Sequence, residues 1–134
     1  MTPFFDTNIL VYAFLDVAKR ERALDLIASG GVISAQVLNE FTNVARRERQ
    51  RDWAEIERAV SVIRARCPDV VPLTAATHAA ALEFARDHGL SFYDALIVAA
   101  AIEGGCDPLY SEDMQHGRSI GGLAIVNPFL EGGR

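Results

Sequence analysis

In the stretch FFDTNILVYAF (4–14) a carboxylate, Asp6, stands between two runs that both ask to be buried. An ionised Asp there is costly unless a partner or a cation offsets its lost hydration. The alternative is a turn or helix N-cap, a role that Asp, Thr and Asn all suit. Glu40 raises the same question inside an amphipathic pattern. Val37 lies three residues before it, Val44 four after and Phe41 beside it, so Glu40 sits on or next to the apolar stripe. It either snorkels from the edge of a buried face or turns inward towards positive charge. Asp94, in SFYD (91–94), has the spacing of a capping box with Asp in place of Glu. The apolar run ALIVAAAI (95–102) that follows would carry it into the interior. Glu112 and Asp113 follow the short apolar run PLY, with Ser111 between. Gathered together, such acids repel one another unless cations neutralise them. A set with only oxygen donors suits Mg²⁺ or Mn²⁺ rather than zinc. Such a site binds phosphate oxygens and activates water for in-line attack, which is the chemistry of a metal-dependent phosphodiesterase.

The elements that must position these acids follow from caps and breakers. Short apolar runs at PFFD (3–6), VIS (32–34), VVPL (70–73), PLY (108–110) and AIV (124–126) predict five strands. Between them lie helical patterns. One opens at NILVYAF and a second covers about 18–29, stopping at Gly30-Gly31. A third runs from Ser34 as N-cap to about residue 50, and a fourth follows the Asp52 cap and ends at Pro68. Thr74 caps a helix reaching Gly89, and Ser91 caps one reaching Gly104-Gly105. Strands alternate with helices and no neighbouring pair shows a hairpin turn, so the pattern predicts a parallel sheet with helices on its faces. In such a sheet the binding crevice lies beyond the carboxyl ends of the strands, where Asp6 and the 112–113 pair fall.

At 134 residues, half of them hydrophobic and 23 % charged, the chain is expected to form one globular domain spanning 1–134. Its N-terminus lacks a signal-peptide pattern and no apolar run reaches membrane length, so a cytoplasmic protein with no membrane contact is expected. Cys67 and Cys106 lack metal-ligand spacing and read as free thiols. The net charge of −5 argues against coating nucleic acid by charge alone. Collecting four acids into one metal site would leave the remainder near neutral.

With these residues in view, FFDTNILVYAF, LNEF (38–41), SFYDALIVAAA (91–101) and LYSEDM (109–114) resemble the signatures of PIN domains, most closely the VapC-type toxins of toxin–antitoxin pairs. The resemblance spans essentially the whole chain. It implies an α/β fold, a five-stranded parallel sheet of order 3-2-1-4-5 with helices on both faces. Asp6, Glu40, Asp94 and Asp113 match its acidic quartet, as catalytic residues and ligands of Mg²⁺ or Mn²⁺, with Asp6 and Asp94 the direct contacts. Asn8 matches a residue that orients the carboxylates. Ser111 stands where the family has Thr, open to a ligand water or a phosphate. Which of Glu112 and Asp113 faces the metal stays open. The implied activity is an endoribonuclease that cuts RNA, often tRNA, leaves 5′-phosphate and 3′-hydroxyl ends, and so inhibits translation. The implied partners are an RNA substrate, a cognate antitoxin protein and a second copy in a homodimer.

Arg46 and Arg47, in RRERQR (46–51), read either as contacts to the RNA backbone or as a solvated helix end whose cations suit the dipole. Trp53 with Ile56, Val60 and Ile63 reads as core or subunit interface. Other classes fit less well. The chain has one lysine, Lys19, far from the last strands where a receiver domain needs one, and no DxD phosphatase pattern. A catalytically silent PIN-fold module that binds RNA or protein is the remaining alternative.

Overall fold

A computed structural model describes residues 1–130 and places Phe4–Phe5, fully buried, as the first strand, β1. Asp6 ends it and caps helix α1 (Thr7–Phe14). Helix α2 (Arg20–Ala28), strand β2 (Ile33–Ser34) and helix α3 (Ala35–Asn43) follow. After a π-helical turn, Val44–Glu48, come α4 (Trp53–Arg66), β3 (Val70–Val71), α5 (Ala75–His88) and α6 (Phe92–Glu103). Strands β4 (Leu109–Tyr110), β5 (Ser119–Ile120) and β6 (Leu123–Val126) close the described chain.

The caps act as their side-chain chemistry requires. Ser34, Asp52, Thr74 and Ser91 each accept a backbone N–H in the first turn of the helix they open. Asp52 with Glu55 and Thr74 with Thr77 complete reciprocal boxes. Helix α6 is apolar all round over Ala95–Ala101 and is buried throughout that run. The core joins it to Phe4, Phe5, Ile33, Phe41, Leu109 and Ile125.

Strand β1 pairs in parallel with β4, β4 with β6, and β2 with β3. A parallel bridge between Phe4 and Val32, with the Phe5 N–H donating to the Val32 carbonyl at 3.0 Å, joins the two sets. The parallel order is thus β3-β2-β1-β4-β6, the expected arrangement with β6 in fifth place. The all-parallel expectation fails at the edge, where β5 pairs antiparallel with β6. The reason lies in SIGGLAIV: Gly121 and Gly122 have φ of +57° and +83°, the left-handed conformations a two-residue hairpin turn demands.

Two helix boundaries also differ. The third helix does not continue regularly to residue 50, because it widens into the π-helical turn before Arg49. Helix α2 starts after Lys19, whose φ of 62° breaks the approach that the sequence pattern treats as helical. Of the fourth helix's predicted seam, Ile56 and Ile63 are buried while Trp53 is 56 % exposed.

Among the described glycines, Gly31 has the closest neighbour. A Cβ there would lie 2.3 Å from Cε2 and 2.7 Å from Cζ of Phe5. Gly31→Ala is therefore expected to cost about 1–3 kcal/mol by displacing a core ring. Urea unfolding should show the lower midpoint with unchanged slope.

Candidate active site

Four parts of the chain bring the acids to one end of the sheet. Asp6 follows β1, Glu40 lies in the second turn of α3, and Asp94 in the first turn of α6. The loop after β4 carries Ser111, Glu112 and Asp113.

Asp6 is 4 % exposed and its two oxygens are held separately. Oδ1 accepts the Thr7 N–H at 2.7 Å, and Oδ2 accepts the Ser111 hydroxyl at 2.7 Å. The Met114 N–H donates to the same Ser111 oxygen at 3.3 Å, which turns the hydroxyl hydrogen towards Asp6. Ser111 is itself fully buried. Its hydroxyl is thus committed to orienting Asp6 rather than left open to a ligand.

Glu40 accepts from the Thr7 hydroxyl through Oε1 and from the Gln36 amide through Oε2, each at 2.9 Å. Neither donor stands out in the sequence as a site residue. The signals were Thr7's place beside Asp6 and Gln36's position one helical turn before Glu40.

Asp94 forms only half a capping box. Its N–H donates to the Ser91 oxygen at 3.2 Å, but the return bond that completes the boxes of α4 and α5 is not made. Its carboxylate remains half-buried at the helix start.

The Glu112 and Asp113 pair separates. Glu112 accepts from the Tyr12 hydroxyl and from the Lys19 ammonium. Asp113 lines an open cleft of about 450 Å³ with Glu40, Asn8, Tyr12 and Arg49. Asn8 bridges the two regions: its Oδ1 lies 3.5 Å from the Glu112 N–H, and its Nδ2 is buried without a hydrogen-bond partner.

The charges follow this geometry. Burial raises the Asp6 carboxyl from 3.8 to about 7, against the Ser111 and Thr7 hydrogen bonds, with the charges of Glu40 and Asp94 adding to the rise. Burial likewise raises Asp94, opposed by the Ser91 hydroxyl and assisted by Asp113. Glu112 moves the other way: partial burial works against it, yet Lys19 and Tyr12 hold it below its usual range. The acids therefore interact as a chain, Glu40 with Asp6, Asp6 with Asp94, and Asp94 with Asp113.

The basic run lies at the exposed end of the third helix. Arg46 donates to the Arg51 carbonyl at 3.1 Å and stacks 4.6 Å from the Trp53 ring centroid. Arg46 and Arg47 are exposed, but neither lines the acidic cleft. Arg49 does, and it grips Asp16 through two bonds of 2.7 and 2.9 Å. The π-helical turn supplies the rotation that the regular helix pattern hid.

The family model for the PIN domain matches residues 4–118, which include every acid of this cluster. The chain belongs to the PIN domain family. Solved structures of similar fold include VapC20 of Mycobacterium tuberculosis, described as a sarcin-ricin loop cleaving toxin. It is 23 % identical over 84 % of this chain and 90 % of its own, with a TM-score of 0.70. A toxin–antitoxin complex from Klebsiella pneumoniae contains a chain 20 % identical over 96 % of this PIN domain and 98 % of its own, with a TM-score of 0.73. VapBC2 of Rickettsia felis, bound to a fragment of its promoter DNA, gives 21 % identity over 93 % and 97 %, with a TM-score of 0.67. No curated protein matches the chain at a significant level.

Proposed function

We propose that this PIN domain is a divalent-metal-dependent endoribonuclease, the toxin of a toxin–antitoxin pair. The observation that carries the reading is the linked acid set at the sheet end, whose buried member, Asp6, is driven to about 7 by burial and by two neighbouring carboxylates. A fold that keeps such a set together gains most when a cation neutralises it.

The donor set fits a hard cation. It offers oxygens only, and it is open. Among the described residues no three acidic, His or Cys side chains are gathered tightly enough to enclose an ion. An ion that keeps most of its waters and takes one or two carboxylates suits that spacing, which favours Mg²⁺ or Mn²⁺. Asp6 and Asp94 are assigned as its direct ligands, with Glu40 and Asp113 completing the set. Bound there, the cation supplies Lewis acidity towards a phosphodiester and lowers the pKa of water. Ser111 keeps Asp6 aligned, and Thr7 and Gln36 keep Glu40 facing the cleft. The unpartnered Asn8 Nδ2 donates to a phosphate oxygen or an ordered water once the cleft is filled.

RNA as substrate is supported by the M. tuberculosis neighbour, a toxin that cleaves the sarcin-ricin loop. An antitoxin partner is supported by neighbours solved as toxin–antitoxin complexes. The reading further assigns a homodimer acting on RNA, including tRNA, in the cytoplasm. Among the described residues no helix is long and apolar enough to cross a membrane.

The same open spacing favours a second reading, a catalytically silent PIN-fold module that binds RNA or protein. Incubating the purified protein with total RNA in Mn²⁺ or Mg²⁺ decides between them. Discrete fragments with 5′-phosphate and 3′-hydroxyl ends, absent in EDTA, are expected of the nuclease. Intact RNA at every metal concentration would favour the silent module.

A further inference from the structure

A second groove, of about 410 Å³, adjoins Glu40. Gln36, Asn39, Glu40, Asn43 and Tyr93 line it, and it shares Glu40 and Asn43 with the acidic cleft. The two grooves therefore meet at a carboxylate of the site. Positions 36, 39, 40 and 43 form one face of α3, so the amides are presented in a row by a rigid helix. Tyr93 is 64 % exposed although it is a large aromatic, and it immediately precedes Asp94 at the start of α6. Phe92 supports it, the ring centroids 6.1 Å apart in an edge-on arrangement.

We propose that this groove is a nucleobase subsite, in which a base next to the scissile phosphate stacks on Tyr93 while Asn39 and Asn43 meet its polar edge. The proposal rests on the nuclease reading and deepens it. An exposed aromatic ring offers a stacking face to any base, whereas carboxamides, with a donor and an acceptor each, read the base edge. Gln36 takes less part, because its amide nitrogen is already committed to Glu40. The groove carries amides and a phenol rather than a positive stripe, so it recognises bases and leaves the phosphates to the acidic cleft and its cation. Its position also sets the path of the strand, which runs past Glu40 between the Tyr93 groove and the cleft lined by Tyr12 and Arg49.

The test uses the full chain with single-stranded oligoribonucleotides carrying 2-aminopurine or an abasic site at successive positions near a mapped cut. Stopped-flow fluorescence reads stacking before cutting begins, and steady-state cleavage separates KM from kcat. At one position the wild type should quench 2-aminopurine. Tyr93→Leu should lose that quenching and raise KM about 10-fold or more with little change in kcat, while Tyr93→Phe keeps both. An abasic site there should weaken the wild type and leave Tyr93→Leu unaffected. Asn39→Ala should change the preferred base at the cut. A Tyr93→Leu protein that cuts the same positions with the wild-type KM would overturn the subsite and leave the nuclease standing. A wild type that binds Mn²⁺ yet neither binds nor cuts RNA would overturn the nuclease reading, and the subsite with it.

Discussion

Asp6→Asn is expected to lower RNA cleavage about 10³-fold or more, and to make the metal-free protein more stable at the same time. The loss follows from the proposed assignment of Asp6 as one of two direct ligands of a cation, whose removal costs several kcal/mol where each 1.4 kcal/mol is about tenfold. The gain follows from burial. A carboxyl raised from 3.8 to about 7 is held ionised at pH 7.5 only at a cost, of order 4 kcal/mol for such a displacement. Asn removes that charge and keeps the Thr7 bond, since its carbonyl still accepts that N–H. Its amide can donate to the Ser111 oxygen, but the buried Ser111 hydroxyl hydrogen then loses the acceptor it has in Asp6, which offsets part of the gain by about 1–3 kcal/mol. The expected net gain is about 1–3 kcal/mol, or a few degrees in Tm by calorimetry in EDTA. Opposite signs for activity and stability distinguish a metal ligand from a structural cap, whose loss would lower both.

The second large effect is the pH dependence of the metal-free fold. Asp6 binds its proton more tightly folded than unfolded, so stability contributed by the protonated form is full below about 4 and is lost as pH rises to about 7. Asp94 shifts in the same direction. Asp16, Asp87 and Glu112 are lowered, so their small contributions are lost only in stronger acid, and exposure discounts them further. Thermal melts in EDTA should therefore peak near pH 4–5 and decline by several degrees towards pH 8. Asp6→Asn should flatten most of that decline. Saturating Mn²⁺ should raise Tm more at pH 7.5 than at pH 5, because the ion competes with the proton for the same oxygens. A wild-type profile flat between pH 5 and 8 would contradict the burial of an ionisable Asp6.

Much of this was legible in the residues because the local chemistry was redundant. Asp52, Thr74 and Ser91 stand before strong helical periods, and each caps as its side chain requires. Asp6 was legible as an anomaly, a carboxylate between two buried runs, and it is buried. Asp94 was ambiguous because cap and site share one spacing; only the missing return bond separates them. The choice between Glu112 and Asp113 could not be read at all, since it depends on Tyr12 and Lys19 reaching across about a hundred residues of chain to hold Glu112. The Arg49 contact was hidden for a different reason. A regular helix projects Arg46 and Arg47 along α3, whereas the π-helical turn re-aims the run and sends Arg49 to Asp16. The β5–β6 hairpin was signalled by Gly121-Gly122 and missed because Ser119-Ile120, the run before the glycines, does not read as a strand by itself.

The most direct test of the central claim, that these acids form one cation site, is a Mn²⁺ titration at pH 7.5 followed by electron paramagnetic resonance and calorimetry. The wild type is predicted to bind Mn²⁺, and Asp6→Asn and Asp94→Asn each to weaken that binding at least about tenfold while remaining folded. Glu112→Gln, which alters the neighbour turned towards Lys19, should retain it. Undetectable binding by the wild type, or equal binding by both Asp variants, would contradict the account.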